Sequence, residues 1–516
     1  MNGAHTLVET FLKNNVDTCF ANPGTSEMHF VAALDAQTDM RCVLCLFEGG
    51  ASGAADGYYR MKQDVAATLL HLGPGFGNAF ANLHNARKAG SGIVNVVGDH
   101  ASYHLPYESP LKGDIDGVSG AVSHWTRRAP DAGSVAVDGA AAISAARANN
   151  GQIATLILPA NTAWDPASAS VAAPAPPALH RPRDADIDAA AARLRAPGAA
   201  LMVGGAALWG EGLARAGRIA AATGAILVTD TLVGRVGRGA GTPMARMLPY
   251  AVEAKVAAMS DITSLTLIGT ERPVTFFAYP GKPSLPEPRD AAIMPLCAPD
   301  MDIAWTLDAL AQATGAAKAA PKQQALTLPD LPQGGAIDLT KIGDVLAALM
   351  PEGAILCNEG VTAAFHIMPQ LTGARPHDML GVSGGAIGWS LPGAVGAAIA
   401  CPDRRVIVFV GDGSAMYNIQ ALWTMARESL DITVIVVANR GYQILRDELV
   451  NVGVERYGAN AQAMFDVDNP LLDWAGLARG HGVPSHRAEG IDGFTKALGQ
   501  SLAEPGPALI EVVCPD

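Results

Sequence analysis

Short runs of consecutive apolar residues recur along the chain, each closed by Gly, Asn or Asp. The first third carries CVLCLF, AATLLHL, IVNVVG and IATLILP; the middle carries ALMVGG, AILVTD and SLTLIGT; the last third carries GAILCNE, VIVFVGDG and ITVIVVAN. Unbroken apolar runs, as opposed to alternating ones, belong to strands covered on both faces. Helical patterns fill the intervals, so each third predicts a parallel sheet flanked by helices. The fold class expected is α/β, with three consecutive doubly wound parallel-sheet domains.

Two stretches interrupt this rhythm. DPASASVAAPAPPALHRPRDAD, from Asp165 to Asp186, and GAAKAAPKQQALTLPDLPQGG, from Gly315 to Gly335, are rich in Pro and Ala and predict extended connectors. The domains expected are therefore 1–165, 186–315 and 336–516. A length of 516 residues fits three units of ordinary size.

Composition narrows the classes. With 36 Lys+Arg against 49 Asp+Glu, no basic face for nucleic acid is expected. Leu380 to Pro402 is uncharged, but its glycines and Pro392 read as a buried turn leading into a packed helix, so no membrane association is expected. The opening MNGAHTLVETFLKNN lacks a basic stretch followed by an apolar run. Together with seven scattered cysteines, that predicts a cytoplasmic protein with reduced thiols. Cys42 and Cys45 form C-x-x-C within a strand-like run, where i and i+3 face opposite ways, so a redox pair is not expected. His100 and His104 follow Asp99 without a third ligand.

The candidate chemistry starts at VIVFVGDGSAMYNIQALW. A buried strand ends in Gly411-Asp412-Gly413, where α/β folds bind ligands, and the flanking glycines admit close approach or positive φ. A helix beginning near Ser414 would present its N-terminus to phosphate. The next buried strand delivers Asn439 to the same edge. A carboxylate, an amide oxygen and backbone carbonyls are hard donors suited to Mg²⁺.

The spacing from Asp412 to Asn439 resembles the cofactor motif of thiamine diphosphate-dependent enzymes, in the benzoylformate decarboxylase and acetolactate synthase branch. The resemblance covers the whole chain, in the order pyrimidine-binding, middle and diphosphate-binding domain. It implies thiamine diphosphate and Mg²⁺ as cofactors, with Asp412, Asn439 and the backbone of Gly441 on the metal. Gly411, Gly413, Ser414 and Tyr442 would lie along the cofactor. In LFEGGASGAADGYYR, Glu48 matches the glutamate that touches the aminopyrimidine. In VSGGAIGWSLPGAVGAA, Ile387 would be the apolar wedge and the Gly385 carbonyl an acceptor for the pyrimidine amine. His71 matches a proton-relaying histidine, and Thr25, in FANPGTSEMHF, stands where a serine binds the substrate carboxylate. Ile444 and Leu445 would face an apolar substrate tail; for Glu448, contact with a polar substrate group and exposure to solvent both stay open. The branch's second, middle-domain histidine has no match in RPVTFFAYPGKPS, which carries Phe277-Ala278 there.

The resemblance implies a decarboxylase or carboligase acting on a 2-oxo acid. Acetolactate synthase-type condensation of pyruvate is one alternative, and an idle cofactor-binding subunit is another. It also implies a homodimer as the minimum, with Glu48 and Asp412 meeting across copies, and a homotetramer as the assembly.

Overall fold

The computed structural model describes residues 1–454 and 456–514. The first part of the chain supplies β1 (Thr18–Ala21), β2 (Arg41–Leu44), β3 (Ala66–Leu70), β4 (Ile93–Asp99), β5 (Trp125–Arg128) and β6 (Ile153–Pro159). They form one parallel sheet in the order β2-β1-β3-β4-β6-β5. The middle part supplies β7 (Ala199–Val203), β8 (Ile226–Thr229), β9 (Arg235–Arg238), β10 (Arg246–Met247), β11 (Ser264–Ile268) and β12 (Ala292–Cys297). Five of these make a second parallel sheet, β10-β8-β7-β11-β12. The last part supplies β13 (Ile355–Glu359), β14 (His377–Gly381), β15 (Val406–Gly411), β16 (Ile432–Ala438), β17 (Ser485–Ala488) and β18 (Ala508–Val513). The third sheet runs β17-β18-β16-β15-β13-β14-β9.

β9 is the departure from three separate parallel sheets. It comes from the middle part of the chain, yet it pairs antiparallel with β14 and closes that edge of the third sheet. Most strands written as unbroken apolar runs are buried, β3, β4, β6, β7, β11 and β16 completely, whereas β2, at a sheet edge, is exposed at Arg41 and Cys42. The expected split of Cys42 and Cys45 is also visible: Cys42 is exposed, Cys45 buried, and both are free thiols.

Six helices bear on the site: α1 (Glu48–Lys62), α2 (Leu72–Ala89), α3 (Gly210–Thr223), α4 (Ser390–Ala400), α5 (Asp412–Ala415) and α6 (Gln443–Asn451). α1 and α4 cross with backbones touching. A β-carbon on Gly57 would lie 2.0 Å from the Gly393 carbonyl oxygen, and one on Gly396 1.8 Å from that of Ala54. Only hydrogen fits at either position.

Beside the crossing, fully buried Asp56 accepts from Arg60 (2.8 and 2.6 Å), from the Ser91 hydroxyl (2.5 Å) and from the Trp389 indole (2.7 Å). Arg60 donates onward to the carbonyls of Gly381 (2.6 Å) and Gly234 (3.2 Å), and its guanidinium lies 4.2 Å from the Trp389 ring centroid. One ion pair thus ties together all three parts of the chain. Among the described residues no helix is long and apolar enough to cross a membrane.

Candidate functional site

Two clusters carry the expected residues. The first lies at the strand ends of the first sheet. Glu48 opens α1 and is buried, and one oxygen accepts from the Asn78 amide at 2.9 Å. His71 caps α2, which begins at Leu72 with φ +50, an uncommon value for a bulky residue. Gly75 sits between the two: a β-carbon there would lie 2.8 Å from Glu48 Oε1 and 3.2 Å from the His71 β-carbon. Glu48 and His71 therefore flank one narrow gap.

A third acid completes this cluster. Glu27 is buried, and its Oε2 accepts from His71 Nδ1 at 2.8 Å and from the Gly24 N–H at 2.9 Å. The Ser26 hydroxyl donates to its other oxygen. With Nδ1 donating to Glu27, Nε2 is left to take or give a proton. Thr25, on the same short turn, is exposed.

The second cluster lies at the strand ends of the third sheet. Asp412 is the first residue of α5, not a residue ahead of a helix starting near Ser414. Gly411 has φ −74, and Gly413 is absent from the positive-φ residues, so neither glycine supplies a left-handed turn. Space explains them instead. A β-carbon on Gly411 would meet nothing within 4 Å, leaving the approach to Asp412 open, whereas one on Gly413 would lie 2.4 Å from the Tyr442 ring.

Asp412 is buried. Its Oδ1 accepts from the Gly413 N–H and its Oδ2 from the Arg440 N–H, both at 2.8 Å. Burial pushes its carboxyl above the usual range, with the two backbone donors opposing. The Arg440 contact draws the loop carrying Asn439 and Gly441 against Asp412. That loop is pinned from behind: Tyr442 N–H donates to the Phe465 carbonyl and Val467 N–H to that of Arg440, each at 2.8 Å. Each Asp412 oxygen keeps a lone pair, and Asn439 and Gly441, an amide oxygen and a carbonyl in kind, flank the Arg440 N–H that bonds to it. This donor set, with open space over Gly411, fits an oxygen-ligated cation carrying diphosphate. Among the described residues no group of three or more His, Cys, Asp and Glu could hold a metal. His100 and His104 stack at 5.4 Å between centroids, with His100 Nε2 and the Ser109 hydroxyl 2.9 Å apart.

The segment expected to shape the cofactor is preformed. Gly385 is exposed at φ +76, a conformation that requires glycine. His84 Nε2 donates to the Gly384 carbonyl (3.1 Å), and Asn85 brackets Ala386 with bonds of 2.7 and 3.2 Å. Ile387 follows, half-buried. Glu359, at the end of β13, accepts from the N–H groups of Gly388 and Ser390 (2.6 Å for the latter). Burial lifts its carboxyl to about 7. Its side chain thus serves this turn.

Above Gly385 stands an aromatic wall. A β-carbon on Gly385 would lie 3.0 Å from Phe276, whose ring packs on Tyr250 (5.1 Å) and Phe277 (4.7 Å); Tyr250 meets Phe365 at 6.1 Å. Glu448, on α6, settles neither on solvent nor on empty space: it accepts from the hydroxyls of Tyr250 (3.1 Å) and Tyr279 (2.6 Å). Burial and the Glu448 charge raise both phenols, Tyr279 to about 12. Ile444 shares the Glu448 side of α6 at i and i+4, whereas Leu445 is turned outward and exposed.

Among the described residues no hydrogen bond or ion pair joins Glu48 or His71 to Asp412, Asn439 or Gly441. Sequence reasoning missed Glu27, Asn78, Phe276 and the two tyrosines. Glu27 alone left a local signal, an acid three residues after Gly24 at a helix entrance. The tyrosines meet Glu448 across 198 and 169 residues of chain, and nothing local marks them.

Residues 1–119 match the thiamine pyrophosphate enzyme N-terminal TPP binding domain, and residues 362–512 its C-terminal TPP binding domain. The chain is 48% identical to the "Putative acetolactate synthase large subunit IlvX" of Mycobacterium tuberculosis, over 100% of this chain and 99% of that one. It is 28% identical to benzoylformate decarboxylase of Pseudomonas aeruginosa, over 98% and 97%. The solved structure of a thiamine diphosphate-dependent 4-hydroxybenzoylformate decarboxylase from Rhodococcus jostii superposes with a TM-score of 0.86, covering 99% and 98% at 23% identity, a likeness of fold.

Proposed function

The chain belongs to the thiamine pyrophosphate enzymes, and from that premise we propose that it decarboxylates a 2-oxo acid and joins the remaining fragment to a second carbonyl compound. When bound, thiamine diphosphate supplies a carbon nucleophile and an electron sink for the charge released as CO₂ leaves. Asp412, Asn439 and the Gly441 carbonyl would hold Mg²⁺ and through it the diphosphate. Gly385 and Ile387 would receive the pyrimidine end, and Glu48 would hold or release a proton on that ring. Thr25 would meet the substrate carboxylate and His71 would relay a proton, with Glu27 holding the imidazole.

The observation carrying the carboligation reading is Phe276. The middle of the chain lays an aromatic ring over Gly385, not an acid or base. The phenols behind that ring, Tyr250 and Tyr279, are committed to Glu448 and are poor proton donors with their acidity suppressed. A wall of rings that offers no proton favours quenching by a second carbonyl. Simple decarboxylation is the second reading, supported by the proton that His71 Nε2 can carry.

Since no hydrogen bond or ion pair joins the two clusters within one chain among the described residues, the reading has a partner copy bring Glu48 of one chain to Asp412 of the other. The test is a panel of 2-oxo acids from pyruvate to benzoylformate, with cofactor, Mg²⁺ and an aldehyde acceptor. CO₂ and 2-hydroxyketone should appear in comparable amounts. Free aldehyde equal to CO₂, with no hydroxyketone, would leave the decarboxylase; absence of CO₂ would remove both readings. Acetoin after acidification of a pyruvate reaction marks the acetolactate route.

A further inference from the structure

At the Arg238 end of β9, the middle part of the chain, the second connector and the last part line a cavity of about 190 Å³. Its walls include Arg238, Gln324 and Thr372 among polar residues, and Leu213, Val236 and Met247 among apolar ones. Leu213 lies on α3, Val236 and Arg238 on β9, Gln324 on the second connector and Thr372 in the last third of the chain.

Arg238 is the unusual member. Its guanidinium donates to the Met368 carbonyl at 3.2 Å and reaches the Met379 sulfur at 3.9 Å. Among the described residues it forms no ion pair, although the other arginine of β9, Arg235, is paired with Asp378. Five N–H donors with one carbonyl and one thioether for partners leave most of its capacity unused. Its cross-strand neighbour gives no charge either. His377 is buried, spends Nδ1 on the Arg375 carbonyl (2.8 Å) and leaves Nε2 without a partner. Burial keeps that ring neutral, lowering it to about 4, and pushes Arg238 down as well. Arg375 also meets only carbonyls, those of Ala348 and Met350. A half-buried cation without an anion is an expensive arrangement unless something else supplies the charge.

We propose that this cavity binds a small aliphatic carboxylate, with its anionic end on Arg238 and its hydrocarbon end against Leu213, Val236 and Met247. The volume is roughly six times that of one water, on the order of 30 Å³ each, and falls below the range of about 300–1,000 Å³ typical of drug-sized ligands. A nucleotide is too large, and a bare inorganic anion would leave the apolar walls uncovered. The bound acid would clasp the middle part of the chain to the edge of the third sheet, making this a regulatory site apart from the cofactor crevice.

The test uses the holoenzyme and isovalerate, followed by calorimetry and thermal melting. Wild type should bind one isovalerate per chain and melt higher in its presence, with isovaleramide and inorganic phosphate much weaker. Arg238→Met should weaken binding by about tenfold or more, the loss expected for a charged hydrogen-bonded partner. Ala245→Phe, which fills the cavity and keeps Arg238, should abolish it. No binding to wild type, binding unchanged in both variants, or phosphate binding as tightly as isovalerate would overturn the proposal. A folded Ala245→Phe decides the matter even if Arg238→Met does not fold. None of these readouts depends on turnover, so they stand whichever reaction the enzyme performs.

Discussion

Glu48, His71 and Asp412 were legible from their immediate neighbours because each sits where a strand gives way to a helix, and glycine marks that junction in the sequence. Their supports were not, since Glu27 and Asn78 act through contacts that form only after folding. For Glu48, replacing the carboxyl by an amide keeps the Asn78 contact possible but removes the proton site. Glu48→Gln should reduce turnover by about 10²–10⁴ while cofactor affinity, followed by fluorescence quenching, stays within about tenfold; unchanged turnover would refute the role. Glu359 tests support of a different kind. An amide can accept from only one of the Gly388 and Ser390 N–H groups, so Glu359→Gln should cost about 1–3 kcal/mol in chemical denaturation. The pH dependence has a definite sign. The folded carboxyl sits at about 7 against an ordinary 4.5, so its contribution is complete below the lower value and is lost as pH rises through the higher. Stability measured across that window should slope less in Glu359→Gln than in the parent.

Among elements, buried strands announced themselves by apolar runs, and β9 did not. Its sequence, RVGR, has two arginines in four residues, and only its place at a sheet edge explains why they are tolerated. α6 is the opposite case, a helix with no buried residue. Polar contacts hold it: Glu448 on Tyr250 and Tyr279, Arg446 on Asp466, and Asn451 on Lys282. Glu448→Ala frees both phenols and leaves Lys282 on Asn451 (3.0 Å) as the hydrogen bond between α6 and the middle of the chain among the described residues. The expected outcome is a KM several-fold higher with kcat changed less, following the loss of charge-assisted hydrogen bonds worth about 1.5–3 kcal/mol each. Tyr279→Phe should reproduce part of this. A fall in kcat alone, with KM unchanged, would show that Glu448 acts on the chemistry instead.

Across the whole molecule, the three-part organisation was readable from two Pro- and Ala-rich connectors, but the bonds between parts were not. Asp56 and Arg60 lie in an unremarkable helical stretch, and their partners are up to 333 residues distant. Asp56→Asn leaves the Arg60 charge buried without its counterion, so it should cost about 3–5 kcal/mol, read as a lower denaturation midpoint. If the midpoint is unmoved, this network is not what holds the parts together. At the same scale, the proposed hold of Asp412 on diphosphate through Mg²⁺ would make EDTA dialysis release thiamine diphosphate together with the metal.

The α1–α4 crossing makes the protein's alignment all-or-nothing. Glu48 is the first residue of one of these helices, and the turn through Gly385 and Ile387 leads directly into the other. Any methyl group inserted at the seam must be absorbed by sliding one rod along its neighbour. The displaced ends would then be Glu48 and the Gly385–Ile387 turn, the proposed proton donor and cofactor rest, so a lesion far from both would register first as lost aim.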